Sequence, residues 1–313
     1  MSKRQNNPEP RAKKSLGQNF LQDANIARKI VNALDIGPKD QVLEIGPGPG
    51  ALSGIIQARG PARLVLVEKD PHWARERMLA GRGSVCRDAA SGLLCSPEQD
   101  RKSPAPSPKA APSLPDDKLR HDPTFAVILA DALTMPWERF SAPWKLIGNL
   151  PYNVASPLMW DIFSRTPGLV RAVFMIQKEV GQRIIAGPGT SAYGALSVWV
   201  QSHMRAKLEF IVPPQVFRPR PKVDSAVLSF EPLGGPVRTM CRAACARADF
   251  SPEALARTLK LCFQMRRKQL GTILRAGAFD PGVLEPLGID ARIRPESLGP
   301  SEFHKLARAL FPN

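Results

Sequence analysis

The chain has 313 residues, with 44 Lys and Arg against 28 Asp and Glu, a formal excess of +16, and an apolar fraction of 43%. That is enough for one large domain and a smaller one, and the charge calls for a polyanionic partner, either nucleic acid or an anionic membrane surface. No apolar run approaches the ~18 residues of a membrane-spanning helix, and the basic stretch MSKRQNNPEPRAKK lacks the apolar core of a secretory signal; a non-membrane protein with a flexible basic tail over 1–14 is expected.

Residues 21–34 place Ile26, Ile30 and Leu34 on one helical face behind Asp23, a suitable N-cap. QVLEIG (41–46) reads as a buried strand, 51–59 as a short helix and RLVLVE (63–68) as a second strand, which together make a parallel βαβ unit. Residues 95–123 contain seven prolines, a composition that builds no packed core, so a surface insertion over about 92–123 is expected. FAVILAD (125–131), KLIGN (145–149) and VRAVFMIQ (170–177) are further strands, and KLEFIV (207–212) and AVLSF (226–230) flank a proline-rich loop as a strand pair. Alternating helices and strands of this kind give an α/β, doubly wound, Rossmann-like sheet over 15–234. From about 235 to 313 the pattern turns helical, with Ser251 and Pro252 as cap and first turn and Leu255, Leu259, Cys262 and Phe263 as an apolar stripe. A small α-helical C-terminal domain is expected there.

The chemistry sits at strand ends. In VLEIGPGPGAL, Gly46, Gly48 and Gly50 follow a strand and precede a helix, so the backbone turns tightly and lets a ligand approach. No Lys-Ser/Thr follows, which excludes a P-loop, and Pro47 and Pro49 remove the amide donors that a pyrophosphate needs. Glu68, at the end of the second strand, is spaced to accept both hydroxyls of a ribose. A phosphate-free adenosine cofactor, S-adenosylmethionine, fits both features. After the strand KLIGN comes Asn149-Leu150-Pro151-Tyr152. The Asn149 side-chain carbonyl and the Leu150 backbone carbonyl can each accept one N–H of an adenine amine, which draws its lone pair out of the ring and toward a methyl group. Pro151 stiffens the loop, and Tyr152 offers a face to an extruded base. The five cysteines (Cys86, Cys95, Cys241, Cys245, Cys262) form no C-x-x-C, and neither G-x-S-x-G nor H-E-x-x-H occurs; no metal site, disulfide framework or hydrolase centre is expected.

These segments, together with KKSLGQNFL (13–21), VEKD (67–70), ADAL (130–133), GNLPYNVASPL (148–158), FMIQKEV (174–180), VFRPRPKVDSAV (216–227), RRKQL (266–270) and RPESL (294–298), closely resemble the ribosomal RNA small-subunit adenine dimethyltransferases. The resemblance implies that Asn19 and Leu21 lie over the cofactor, Gly46 touches its methionine part and Glu68 its ribose. It implies that Asp131 meets the cofactor's adenine amine and that Asn149 joins cofactor to target base. It implies dimethylation of two adjacent adenosines near the 3′ end of 16S ribosomal RNA in an assembling small subunit, by a cytoplasmic monomer. Phe217 resembles the position of a second aromatic presented to the base. SVCRDAA (84–90) competes with FAVILADAL for the third strand, with Asp88 as the alternative to Asp131. Two basic groups, Lys3, Arg4, Arg11, Lys13 and Lys14 in the tail and Arg242, Arg247, Arg257, Lys260, Arg266, Arg267, Lys268 and Arg275 near the C-terminus, suit RNA phosphates. Three alternatives remain: a large-subunit RNA adenine methyltransferase of the antibiotic-resistance type, a non-catalytic assembly factor, and an NAD-dependent dehydrogenase, which the loop prolines disfavour.

Overall fold

A computed structural model of the chain describes residues 18–81, 84–86, 124–234 and 251–312. The basic tail, most of the proline-rich stretch, Asp88, Arg242, Arg247, Cys95, Cys241 and Cys245 lie outside the described residues.

Among the described residues, ten strands form two sheets. They are β1 (Phe20–Leu21), β2 (Gln41–Ile45), β3 (Arg63–Glu68), β4 (Ser84–Cys86), β5 (Phe125–Leu129), β6 (Trp144–Asn149), β7 (Leu169–Gln177), β8 (Met204–Val212), β9 (Phe217–Arg218) and β10 (Ser225–Pro232). The main sheet has eight strands in the order β4-β5-β3-β2-β6-β7-β10-β8, parallel from β4 to β7, with β10 antiparallel to both β7 and β8. β1 and β9 pair apart from it.

The central strands read as continuous apolar runs because both faces are covered. Alternate residues supply two cores. Leu43, Val65, Leu146 and Phe174 face one side, where Leu158, Met159 and Ile162 of α4 (Ala155–Arg165) pack. Val42, Leu64, Ile147 and Val173 face the other, against Ile30, Val31 and Leu34 of α1 (Ala24–Leu34) and Ile56 of α2 (Ser53–Ala58). α1 starts where the sequence indicates: the Asp23 carboxylate accepts the amides of Asn25 and Ile26. α3 (Pro71–Gly81) follows β3, and α5 (Lys178–Ile185) and α6 (Ala195–His203) lie between β7 and β8.

The C-terminal helices are α7 (Pro252–Gln264), α8 (Leu270–Ala276) and α9 (Pro300–Leu310). The Ser251 hydroxyl accepts the Ala254 amide and caps α7. These helices share a third core with Tyr193, Val198 and Trp199, so they are built onto α6 rather than set apart. The Trp199 ring stacks on Trp160 of α4 at 3.9 Å and donates to the Trp160 carbonyl, which carries the contact back to the sheet. Among the described residues, no helix is long and apolar enough to cross a membrane.

SVC does become a strand, but as the outer edge β4; FAVIL lies beside β3. β2 is the switch point: the chain winds outward through β3 and β5 on one side and through β6 and β7 on the other. A crevice therefore opens beyond the carboxyl ends of β2 and β6, where open α/β sheets bind ligands.

The turn before β7 is the tightest backbone approach. The Gly168 amide donates to the Phe140 carbonyl and its carbonyl accepts from the Trp144 amide, each at 2.7 Å. A Cβ on Gly168 would stand 1.9 Å from the Ala142 oxygen and 2.5 Å from the Phe140 oxygen. We expect Gly168→Ala to lower unfolding free energy by about 3 kcal/mol in denaturant titration; an unchanged midpoint would show that the turn yields freely.

Candidate active site

Four strand ends deliver the cleft. Gly46 follows β2, Glu68 ends β3, Asp131 lies just beyond β5 and Asn149 ends β6. All four line one cleft, with Gln18, Asn19, Phe20, Lys69, Leu150, Pro151 and Tyr152 among its other walls.

Gly46, Gly48 and Gly50 have φ of 64°, 50° and 91°, a region that L side chains rarely adopt. A Cβ at Gly46 would meet nothing within 4 Å, so the backbone there faces open cleft. From Gly46 to Gly50 no amide is spare. The Gly46 amide donates to the Val67 carbonyl, the Gly48 amide to Glu68 Oε2 and the Gly50 amide to the Pro47 carbonyl; Pro47 and Pro49 have none. Across these five residues a pyrophosphate would find no free N–H, whereas a nucleoside without phosphate needs none.

Glu68 is buried. Oε2 accepts from Gly48 at 3.0 Å and Oε1 from the Asp70 amide at 2.8 Å. Burial pushes its pKa up, and the amides of Asp70, Gly48 and Lys69 oppose that shift. Asp131 is more open: Oδ1 accepts from the Leu133 amide and Oδ2 from Lys69 Nζ at 2.7 Å. Its partial burial acts upward, but the Lys69 bond, the Leu133 amide and the Lys69 charge outweigh it and hold the carboxyl below the usual range.

A strap crosses the cleft. Gln18 Nε2 donates to Asp70, the Phe20 ring meets Trp73 edge-on, and the Gln22 amide donates to the Val216 carbonyl. Asn149 Nδ2 donates to the Asn19 carbonyl at 2.9 Å. This fixes the amide's orientation and leaves Oδ1 as an acceptor. Among the described residues neither Asn149 Oδ1 nor the Leu150 carbonyl receives a donor, while the Leu150 amide is anchored on the Met175 carbonyl. Beside them Tyr152, half-buried, shares a 2.9 Å hydrogen bond with the fully buried Ser225.

Two expected site residues lie outside the cleft lining. Leu21 and Phe217 are 6% and 2% exposed, face each other across the β1–β9 ladder and pack in the core. The alternation that turns Phe20 to the cleft turns Leu21 away, and Phe217 fixes the strap from beneath instead of presenting its ring to a base. In the C-terminal helices Arg266 is drawn to Glu296 and the Ser191 carbonyl; Arg257, Lys260, Arg267, Lys268 and Arg275 are exposed, with Arg257 lying over the Phe311 ring. Cys262 is buried, its thiol pushed up to about 12 by burial. Among the described residues no group of three or more His, Cys, Asp and Glu could hold a metal ion.

The fold and this cleft define an α/β enzyme of the methyltransferase type. Comparison with known proteins sharpens the class. The family model for ribosomal RNA adenine dimethylase matches residues 10–78 and 113–275, leaving out an interval that overlaps the proline-rich stretch. A ribosomal RNA small subunit methyltransferase A from Nitratidesulfovibrio vulgaris is 52% identical over 306 residues, covering 96% of this chain and 97% of that protein. Its namesake in Oleidesulfovibrio alaskensis is 52% identical over 305 residues, covering 96% and 92%. The fold is also that of a dimethyladenosine transferase from Plasmodium falciparum (TM-score 0.65, 22% identity, 92% of this chain and 95% of that one). It is shared as well by the 23S rRNA methyltransferase ErmE (TM-score 0.57, 21% identity, 93% and 99%). The chain belongs to the ribosomal RNA adenine dimethylase family.

One residue of the glycine-loop strand has no counterpart in the sequence reading. Glu44, 1% exposed, accepts the Ser53 hydroxyl at 2.7 Å. Burial raises its pKa from the ordinary 4.5 to about 7, against the Ser53 bond and the Arg77 charge. The folded protein therefore holds this proton to higher pH than the unfolded chain, and stability falls as pH rises from about 4.5 to about 7. We expect Glu44→Gln to gain on the parent by up to about 3 kcal/mol between pH 5 and pH 8. Parallel stability curves at those two pH values would contradict the assignment.

Proposed function

We propose that this chain transfers methyl groups from S-adenosylmethionine to the exocyclic amines of two adjacent adenosines near the 3′ end of 16S ribosomal RNA. It acts on an assembling small subunit, as a cytoplasmic monomer. The observation that carries this reading is the pair of undonated acceptors, Asn149 Oδ1 and the Leu150 carbonyl, side by side in the cleft that Gly46, Glu68 and Asp131 also line.

Bound S-adenosylmethionine supplies an electrophilic methyl group. Glu68 accepts the ribose hydroxyls, Asp131 the adenine amine, and Gly46 and Asn19 flank the amino-acid end. Asn149 and Leu150 take one N–H each of the target amine, which raises the nucleophilicity of its nitrogen and aims its lone pair. Tyr152, held by Ser225, backs the extruded base. Orientation supplies most of the rate, and no dedicated general base is needed. The unit over 15–234 carries the chemistry. The basic tail over 1–14 and the exposed cations of the unit over 235–313 meet RNA phosphates and set orientation rather than sequence.

The test is transfer of labelled methyl groups to purified small subunits lacking adenine dimethylation, with naked large-subunit RNA in parallel. Label on adjacent small-subunit adenines is expected; label on large-subunit RNA alone would reassign the target. Asn149→Ala should lower transfer by about 10²-fold or more while cofactor binding changes little, and substantial residual transfer would refute the role given to that residue.

A further inference from the structure

The turn that joins β9 to β10 reads RPRPKVD over 218–224, and nothing so far uses its charges. Arg218, Arg220 and Lys222 are exposed, and among the described residues none of the three has a hydrogen-bond or ion-pair partner. The acid of the turn is already matched: Asp224 Oδ2 accepts from Lys178 Nζ at 3.0 Å, and the Asp224 carbonyl accepts the Lys178 amide. The three cations are therefore left unneutralised.

Exposed cations are ordinarily just solvated; these differ in how their turn is fastened to the site. Arg218 stands opposite Phe20 in the β1–β9 ladder, and directly opposed residues share one face of a ladder. Phe20 lines the cleft, so Arg218 stands on the cleft side of the strap. At the other end of the turn β10 begins with Ser225, which shares the 2.9 Å hydrogen bond with Tyr152. Pro219 and Pro221 each fix φ, and Pro221 is buried, so the turn has little freedom to lose when it meets a ligand. A nucleotide turned out of its strand swings about its own backbone: the base enters the cleft and its phosphates stay at the rim. We propose that Arg218, Arg220 and Lys222 form a phosphate-binding rim that grips the RNA backbone next to the extruded adenosine.

This rests on the RNA methylation reading given above and deepens it. The basic tail and the C-terminal helices orient the particle as a whole, whereas this turn acts at the target nucleotide. A guanidinium fork takes two phosphate oxygens at once, and an ammonium adds a point charge. Neither reads a base, so the choice of adenine stays with Asn149 and Leu150. What the rim contributes is the position of the backbone from which the base swings.

Methyl transfer to small subunits lacking adenine dimethylation, measured against subunit concentration at several KCl concentrations, tests the idea. Arg218→Gln/Arg220→Gln should raise KM for the subunits about tenfold or more. It should also lower the slope of log(1/KM) against log salt by about 1 to 2. Calorimetric binding of S-adenosylhomocysteine should stay at the parent value, which also reports an intact fold. Arg218→Lys/Arg220→Lys should recover the slope but only part of the KM, since the charge returns without the fork. Arg205→Gln removes an exposed cation at the start of β8, at the opposite end of the sheet from the cleft, and should change neither quantity. An unchanged KM and slope in the Gln double variant, with the parent active, would overturn the rim and leave the methylation reading intact. An equal loss per charge in Arg205→Gln would overturn it too, because net charge alone would then explain the effect. A parent that transfers no methyl groups to subunits would instead remove the methylation reading itself.

Discussion

Two backbone amides bonded to one buried carboxylate hold the binding end of this sheet together. Glu68 lies at the end of β3, yet its Oε2 takes the amide of Gly48 in the loop after β2, and its Oε1 takes the amide of Asp70 in the turn after β3. A carboxylate removed from water is costly unless such donors meet it, and a loop of alternating glycine and proline has few other ways to fix its path. Each solves the other's problem. The Gly48 amide opposes the rise that burial imposes on the Glu68 carboxyl, and the loop keeps its left-handed glycines in place because Glu68 accepts. Loss of this side chain would cost the ligand an acceptor and the loop its anchor together.

The strap makes the same kind of connection across a longer stretch of sequence. Its underside is the two-residue ladder of β1 and β9, buried through Leu21 and Phe217. Its upper side presents Gln18, Asn19 and Phe20 to the cleft. The Asn149 amide then bonds to Asn19, so the residue proposed to hold the target amine is also tied to the strap. A disturbance of the strap would be transmitted to the orientation of Asn149, and through it to the geometry of transfer.

Much of this was legible in the sequence because parallel strands covered on both faces are unbroken apolar runs, and each run ends in residue types that serve poorly as mere turns. Gly46, Glu68, Asp131, Asn149 and Tyr152 could be placed at strand ends for that reason. Leu21 and Phe217 could not be placed correctly: β1 and β9 have two residues each, too short for any periodicity to say which side chain faces inward. Glu44 reads as an ordinary strand residue, and only the packing of α2 and α3 around it reveals a buried acid. The joining of the C-terminal helices to α6 was equally hidden, since the apolar stripe of α7 states that something covers it without naming Tyr193 and Trp199 as the partners. Lys69 looked like one more surface lysine, because a spacing of 62 residues to Asp131 has no signature in the chain.

The arrangement of charge is where these features converge. The protein carries an excess of +16, yet the cleft wall gathers Glu68 and Asp131, with Asp70 buried against the strap. Lys69 stands beside them at the mouth, and exposed lysines and arginines are spread over the exterior, on the C-terminal helices and also at Arg28, Lys29, Arg59, Lys207 and Arg220. A sulfonium cofactor is a cation and an RNA is a polyanion, and a surface of uniform sign would repel one of them. With acids drawn inward on strand ends, and shielded by the strap from the basic exterior, the cleft remains favourable to a cation even as the surface around it attracts phosphate. The ~8 Å screening length of physiological salt keeps the two fields separate. One small chain can therefore hold partners of opposite charge in contact, which is the condition that methyl transfer from a sulfonium to RNA imposes.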